Sequence, residues 1–145
     1  MEQTYYQVDM GDFFVESGML NHLNILHGGV LLKHCDSTVG VLANRYSQSR
    51  VVTVAIKQFN FTRPAHVADR VWFRITLLKT GHHSMTFYTE IFSQSFEGQP
   101  VKIGDGVLVF VAVDRELQPV TITTMPALTA DQQTYVDAVR TKFAI

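Results

Sequence analysis

Cysteine is almost absent: Cys35 stands alone among 145 residues. That excludes an intrachain disulfide framework and fits a reducing compartment. Charge of one sign is missing as well, since the formal net charge is -1, and so no global field favours nucleic acid. No apolar run approaches the roughly 18 residues needed to span a bilayer. The opening residues, Met1 to Tyr6, carry neither the basic nor the apolar stretch of a secretory leader. Repeats, low-complexity segments and the HExxH metal signature are also lacking. The expectation is a cytoplasmic protein with no membrane or nucleic-acid partner. What is present is an ordinary globular balance, 46% apolar and 17% charged, enough for one domain over 1–145 with a single core.

Residues 1–12 read as irregular, and Phe13 to Glu16 as a short first strand. An apolar helix is expected over 28–44, with Leu31, Leu32, Cys35, Val39, Leu42 and Ala43 in one arc. Four strand-like runs follow, at 51–62, 70–78, 84–96 and 101–113. In the second, Val71, Phe73, Ile75 and Leu77 share one face; in the last, Val107, Val109, Val111 and Val113 do. Short turns at 79–83 and 97–100 make consecutive strands antiparallel neighbours. A final helix is expected over 128–143, with Thr129 as N-cap. One long helix and a run of long strands imply an α+β fold, the helix wrapped by a curved antiparallel sheet. Such a sheet has an open edge, which a second copy can cover.

The chemistry concentrates at Asn21-His22-Leu23-Asn24-Ile25-Leu26-His27-Gly28-Gly29. A polar loop closes on two glycines and opens the helix, and Asp36 follows about two turns in. First-turn amides have no intrahelical acceptor and carry the positive end of the dipole. Paired glycines let a substrate carbonyl approach those amides. Asp36 falls at the edge of the apolar arc, a half-buried position that solvation alone does not favour. This is the outline of an acyl-transfer site. His22, His27 and His34 invite a metal reading, but no ligand spacing accompanies them, and no metal is expected. Cys35 falls inside the arc and reads as core.

The segment resembles the acyl-CoA thioesterases of the hotdog fold, the cytosolic acyl-CoA hydrolase subgroup. Asn21, His22, His27, Gly28, Gly29 and Asp36 fall in register with its signature. Further matches are Phe59-x-Phe61-x-Arg63-Pro64, Lys79-x-Gly81-x-x-Ser84 and Val109 to Asp114. The resemblance implies a hotdog fold and a dimer with two sites at the subunit interface, which in the family is often assembled further into trimers of dimers. It implies acyl-CoA as substrate and hydrolysis without metal or bound cofactor, coenzyme A being part of the substrate. Asp36 would be general base or nucleophile, and the Gly29 amide would polarise the thioester carbonyl.

Where some relatives carry a catalytic asparagine, this chain has Ile25. Asn24, one residue earlier, is the nearest candidate for that catalytic role, although it reads first as a left-handed loop residue. His27 and Gly28 would line the site. Arg63 and the turn at Gly81 can meet CoA phosphates, and Ser84 can donate to the pantetheine or cap the turn. His82 and His83, where relatives carry small polar residues, alter that contact or are simply exposed. Two other readings use the same fold. A noncatalytic acyl-CoA-binding protein would bind without turnover. An enoyl-thioester hydratase would want a histidine five residues after Asp36, where Val41 stands.

Overall fold

The computed structural model describes residues 6–145. One five-stranded sheet has the order β1-β3-β4-β5-β2 and is antiparallel throughout. Its strands are β1 (Gln7–Phe14), β2 (Arg50–Phe61), β3 (Arg70–Thr80), β4 (Ser84–Gln94) and β5 (Val101–Val113). Helix α1 (Gly28–Ser47) lies in the concave face and touches all five strands. Helix α2 (Ala130–Lys142) follows β5.

Helix α1 buries the expected stripe, Leu31, Cys35, Val39, Leu42 and Ala43, while Leu32 is half-buried. It runs one turn past the expected end because Tyr46 continues the stripe. Gln48, at φ 55°, then stops it. Packed against the stripe are Phe73, Ile75, Phe87, Ile91, Leu108 and Phe110 from the sheet.

The expectation for residues 1–12 is corrected where it can be compared; residues 1–5 lie outside the described residues. β1 begins at Gln7 and ends at Phe14. Its alternation is broken by a register shift between Met10 and Phe13, at Gly11 with φ 81°. A Cβ at Gly11 would collide with Thr38 and Phe73, so the bulge lets the strand cross close to α1. β4 ends at Gln94, two residues before the expected Phe96, which is exposed in the turn.

β3 is buried on both faces, including Trp72, Thr76 and Leu78. The outer side is covered because Val136, Val139 and Phe143 pack on Leu78, Tyr88 and Val107. Helix α2 starts with a complete capping box between Thr129 and Gln132, a device that contributes about 1 kcal/mol. β2 is left as an open edge, with Val54, Ile56 and Phe61 exposed along it.

Candidate active site

The loop before α1 is folded around Asn21. Its side-chain oxygen accepts from the Leu23 N–H at 2.8 Å and the Ile25 N–H at 3.4 Å, while its own N–H donates to the Ile25 carbonyl at 2.8 Å. Asn24 occupies the left-handed region at φ 60° and is exposed. Asn21 rather than His22 therefore ties the loop together. Two backbone bonds fix its far end, from Leu26 N–H to the Ala65 carbonyl and from His27 N–H to the Met19 carbonyl, both 2.8 Å.

His27 is the N-cap of α1, and its Nδ1 accepts from the Gly29 N–H at 2.9 Å. A Cβ on Gly29 would stand only 3.0 Å from that ring. The glycine thus gives the capping ring room. Gly28 faces Phe61, whose ring would sit 3.4 Å from an added Cβ. Between this helix start and the end of β2 lies a cleft of about 390 Å³, lined among others by Asn21, Ile25, Gly28, Phe61 and Arg63. Asn21, not Asn24, is the loop amide on that cleft.

Asp36 is half-buried, and its Oδ1 accepts from Thr53 Oγ1 at 2.7 Å. Thr53 lies on the open edge strand and was not singled out in the sequence. A threonine on a strand gives no local sign that it meets a helix seventeen positions away. Asp36 lies seven positions after Gly29, and at about 1.5 Å per residue the two stand roughly 10 Å apart along the axis. One subunit therefore holds the amide and the carboxylate at different points of its edge.

The turn at Gly81 to Ser84 lies at the other end of the sheet. Ser84 pairs with Val111 and Arg50 with Val113, whereas Phe61, beside the diglycine, pairs with Gly104. Gly81 N–H donates to the Ser84 carbonyl at 2.9 Å, and a Cβ at Gly81 would stand 2.6 Å from the Ser84 hydroxyl. Ser84 closes the turn. The His82 carbonyl accepts from Ile122 N–H and the His83 carbonyl from Ala112 N–H, each at 2.9 Å. His82 is exposed and His83 half-buried. Within one subunit these four residues do not reach the diglycine cleft, whereas Arg63 does.

Other candidates resolve structurally. Cys35 is fully buried, and burial pushes its thiol up to about 12, so it is inert core. His34 stacks on Phe13 with ring centroids 4.0 Å apart, and desolvation, then Lys33, lower its pKa. Among the described residues no group of three His, Cys, Asp or Glu could hold a metal. No helix there is long and apolar enough to cross a membrane.

The most heavily charged cluster lies on the outer face. Asp105 accepts from Asn60 (2.9 Å), Tyr88 (2.7 Å) and Lys142 (2.9 Å). Burial alone would raise its carboxyl, but these bonds and the Lys102 charge win and hold it at about 2. The same environment, burial first and Asp105 second, pushes the Tyr88 hydroxyl up.

Comparison with known proteins bears on this arrangement. The family model described as Thioesterase superfamily matches residues 23–97. An uncharacterised acyl-CoA thioester hydrolase of Zymomonas mobilis is 32% identical over 101 residues, which is 69% of this chain and 68% of that protein. A hexameric thioesterase from Yersinia pestis superposes with TM-score 0.75 at 28% identity, covering 78% of this chain and 93% of that one. An apo-hexameric acyl-CoA thioesterase superposes with TM-score 0.84 at 23% identity, over 95% of this chain and 88% of that one, and supports the fold.

Proposed function

The chain belongs to the thioesterase superfamily, and from that membership we propose that it hydrolyses acyl-CoA thioesters to a free acid and coenzyme A. The observation that carries the reading is the cleft lined by Gly28, the first residue of α1 and the neighbour of Gly29, on the scaffold this family uses. The Gly29 amide is the oxyanion donor. The thioester carbonyl oxygen takes over from His27 Nδ1 as acceptor of that hydrogen, and removing such a donor typically costs about 3 kcal/mol of barrier. Asp36, oriented by Thr53, either removes a proton from the attacking water or attacks the carbonyl carbon itself. In the water route the new C–O bond forms as the carbonyl π pair moves onto the oxygen held by Gly29; the tetrahedral intermediate then collapses, the C–S bond breaks, and the departing thiolate of CoA takes up the proton that Asp36 removed. In direct attack the thiolate leaves as Asp36 forms a mixed anhydride, and water then hydrolyses that anhydride to the free acid and restores the carboxylate.

The roughly 10 Å between Gly29 and Asp36 argues that the two groups meet one carbonyl only across subunits. Antiparallel pairing of two β2 edges turns the carboxylate half of one strand toward the cleft half of the other. A dimer built this way carries two equal sites, and a trimer of dimers accords with the hexameric relatives. The scheme uses an amide and a carboxylate and calls on no metal or bound cofactor. A cytoplasmic location agrees with the lone, buried Cys35.

The test is release of thiol from acyl-CoAs of two to eighteen carbons, followed with a thiol-reactive dye. Asp36→Ala is expected to abolish release while the protein stays folded. Full turnover by folded Asp36→Ala would overturn the assignment.

A further inference from the structure

We infer that Asp105 is a positioning residue for hydrolysis: from the outer face of the sheet it pins the bulged end of β2 through Asn60, and so seats Phe61 against the Gly28 start of α1. This rests on the hydrolase reading and adds a residue that touches no substrate. β2 and β5 press together at this point. The strand bulges between Lys57 and Asn60, and Gln58 sits in the left-handed region at φ 51°. A side chain other than glycine held there costs free energy and persists only where its surroundings fix it. On β5, Gly104 and Gly106 flank Asp105. A Cβ at Gly104 would run into the Asn60 carbonyl, and one at Gly106 into the Phe59 ring. The two glycines admit the bulged strand on one face, and the alternation of the strand sends Asp105 to the other.

Packing does little to hold this strand end. Phe61 and Thr62 line both the Gly28 cleft and a second hollow, of about 540 Å³, shared with Asn60, Lys102, Asp105 and Lys142. Hydrogen bonds hold it instead. Asn60 stands opposite Asp105 in the ladder, and its Nδ2 donates to Asp105 Oδ1 at 2.9 Å. The Thr62 N–H then donates to the Ile103 carbonyl at 2.8 Å. Asp105 Oδ2 is engaged elsewhere, accepting from Tyr88 at 2.7 Å and Lys142 at 2.9 Å. The carboxylate thus divides its oxygens between α2 with β4 and the edge strand. Taking a carboxylate out of water is costly, and Oδ2 by itself would tie α2 down. The other oxygen fixes the register of the bulge: a slip by one residue would turn Phe61 away from Gly28. Phe59 and Phe61 stack at 5.1 Å, and Phe61 faces Gly28, so such a slip reaches the helix start that carries the Gly29 amide.

Two variants cut the two oxygens apart. Asn60→Leu keeps the side-chain shape and removes the donor to Oδ1, whereas Lys142→Met removes a donor to Oδ2 and serves as the structural control. With hexanoyl-CoA, well below the unfolding transition, Asn60→Leu is expected to lower kcat at least about fivefold while KM changes less than about twofold. Lys142→Met is expected to lower Tm and leave kcat within about twofold of wild type. A lower Tm in both variants with kcat unchanged in both would mean a structural role only and overturns the inference. Exchanging the partners, Asn60→Asp with Asp105→Asn, again sets a donor against an acceptor. Its kcat is expected to exceed that of either single variant and to return to within about threefold of wild type. A folded exchange variant no faster than the singles overturns the pin. Should wild type hydrolyse no acyl-CoA, the hydrolase reading fails by itself. Amide exchange then tests the pin: the Thr62 N–H is expected to exchange at least about tenfold faster in Asn60→Leu, and an unchanged rate overturns it.

Discussion

Thr53 is worth more to Asp36 than its distance in the chain suggests. A carboxylate at the edge of a helix can rotate about two torsions, and the 2.7 Å bond from Thr53 selects one orientation. In Thr53→Val the β-branched shape that suits a strand is kept and the hydroxyl is lost. Catalysis that depends on aim then suffers more than binding does. The expected outcome is about a tenfold fall in kcat with KM changed less than twofold, read by steady-state thiol release. An equal kcat would show that Asp36 is oriented by something else. The sequence revealed the types at this scale, an acid on an apolar helix after two glycines, because those are local facts. It could not reveal which loop amide faces the cleft. Asn21 and Asn24 differ only in how the loop closes, and closure depends on bonds to Met19 and Ala65 from outside it.

Elements were legible where their pattern is self-contained. The stripe of α1 and the Thr129 N-cap of α2 are written in consecutive residues, and both appear in the structure. β1 was not, because its polar positions are satisfied across the sheet. Asp9 stands opposite Arg74, and Gly11 interrupts the alternation. The same blindness hid Asp105, which joins β2, β4, β5 and α2 through Asn60, Tyr88 and Lys142. Its folded pKa of about 2 lies below the roughly 3.9 of an unfolded aspartate. The group therefore adds stability above pH 4, and that contribution disappears as pH falls from about 4 toward 2. The amount is about 2 kcal/mol. Thermal unfolding of wild type should show Tm dropping across that window. Asp105→Asn should have a lower Tm at pH 7 and a flatter acid limb. An identical acid limb in the variant would assign the acid sensitivity to other carboxylates.

At the scale of the whole molecule the decisive feature is the uncovered edge. β2 presents Val54 and Ile56, and α1 presents Val41 nearby, at 55%, 42% and 44% exposure. A long strand with unpaired backbone groups and exposed apolar side chains is a template for another strand, and a second β2 is its equal in length and pattern. On the proposed mechanism, the separation of Gly29 from Asp36 makes that pairing a condition of catalysis. Charging the edge with Val54→Lys/Ile56→Lys adds two cations beside Lys57 on each copy of the strand and leaves the core beneath untouched. Sedimentation is expected to show the assembly falling apart, and thiol release should fall in step with the dimer fraction as the protein is diluted. A folded monomer that retained wild-type turnover would mean that one subunit brings amide and carboxylate together unaided, and the shared site would have to be abandoned.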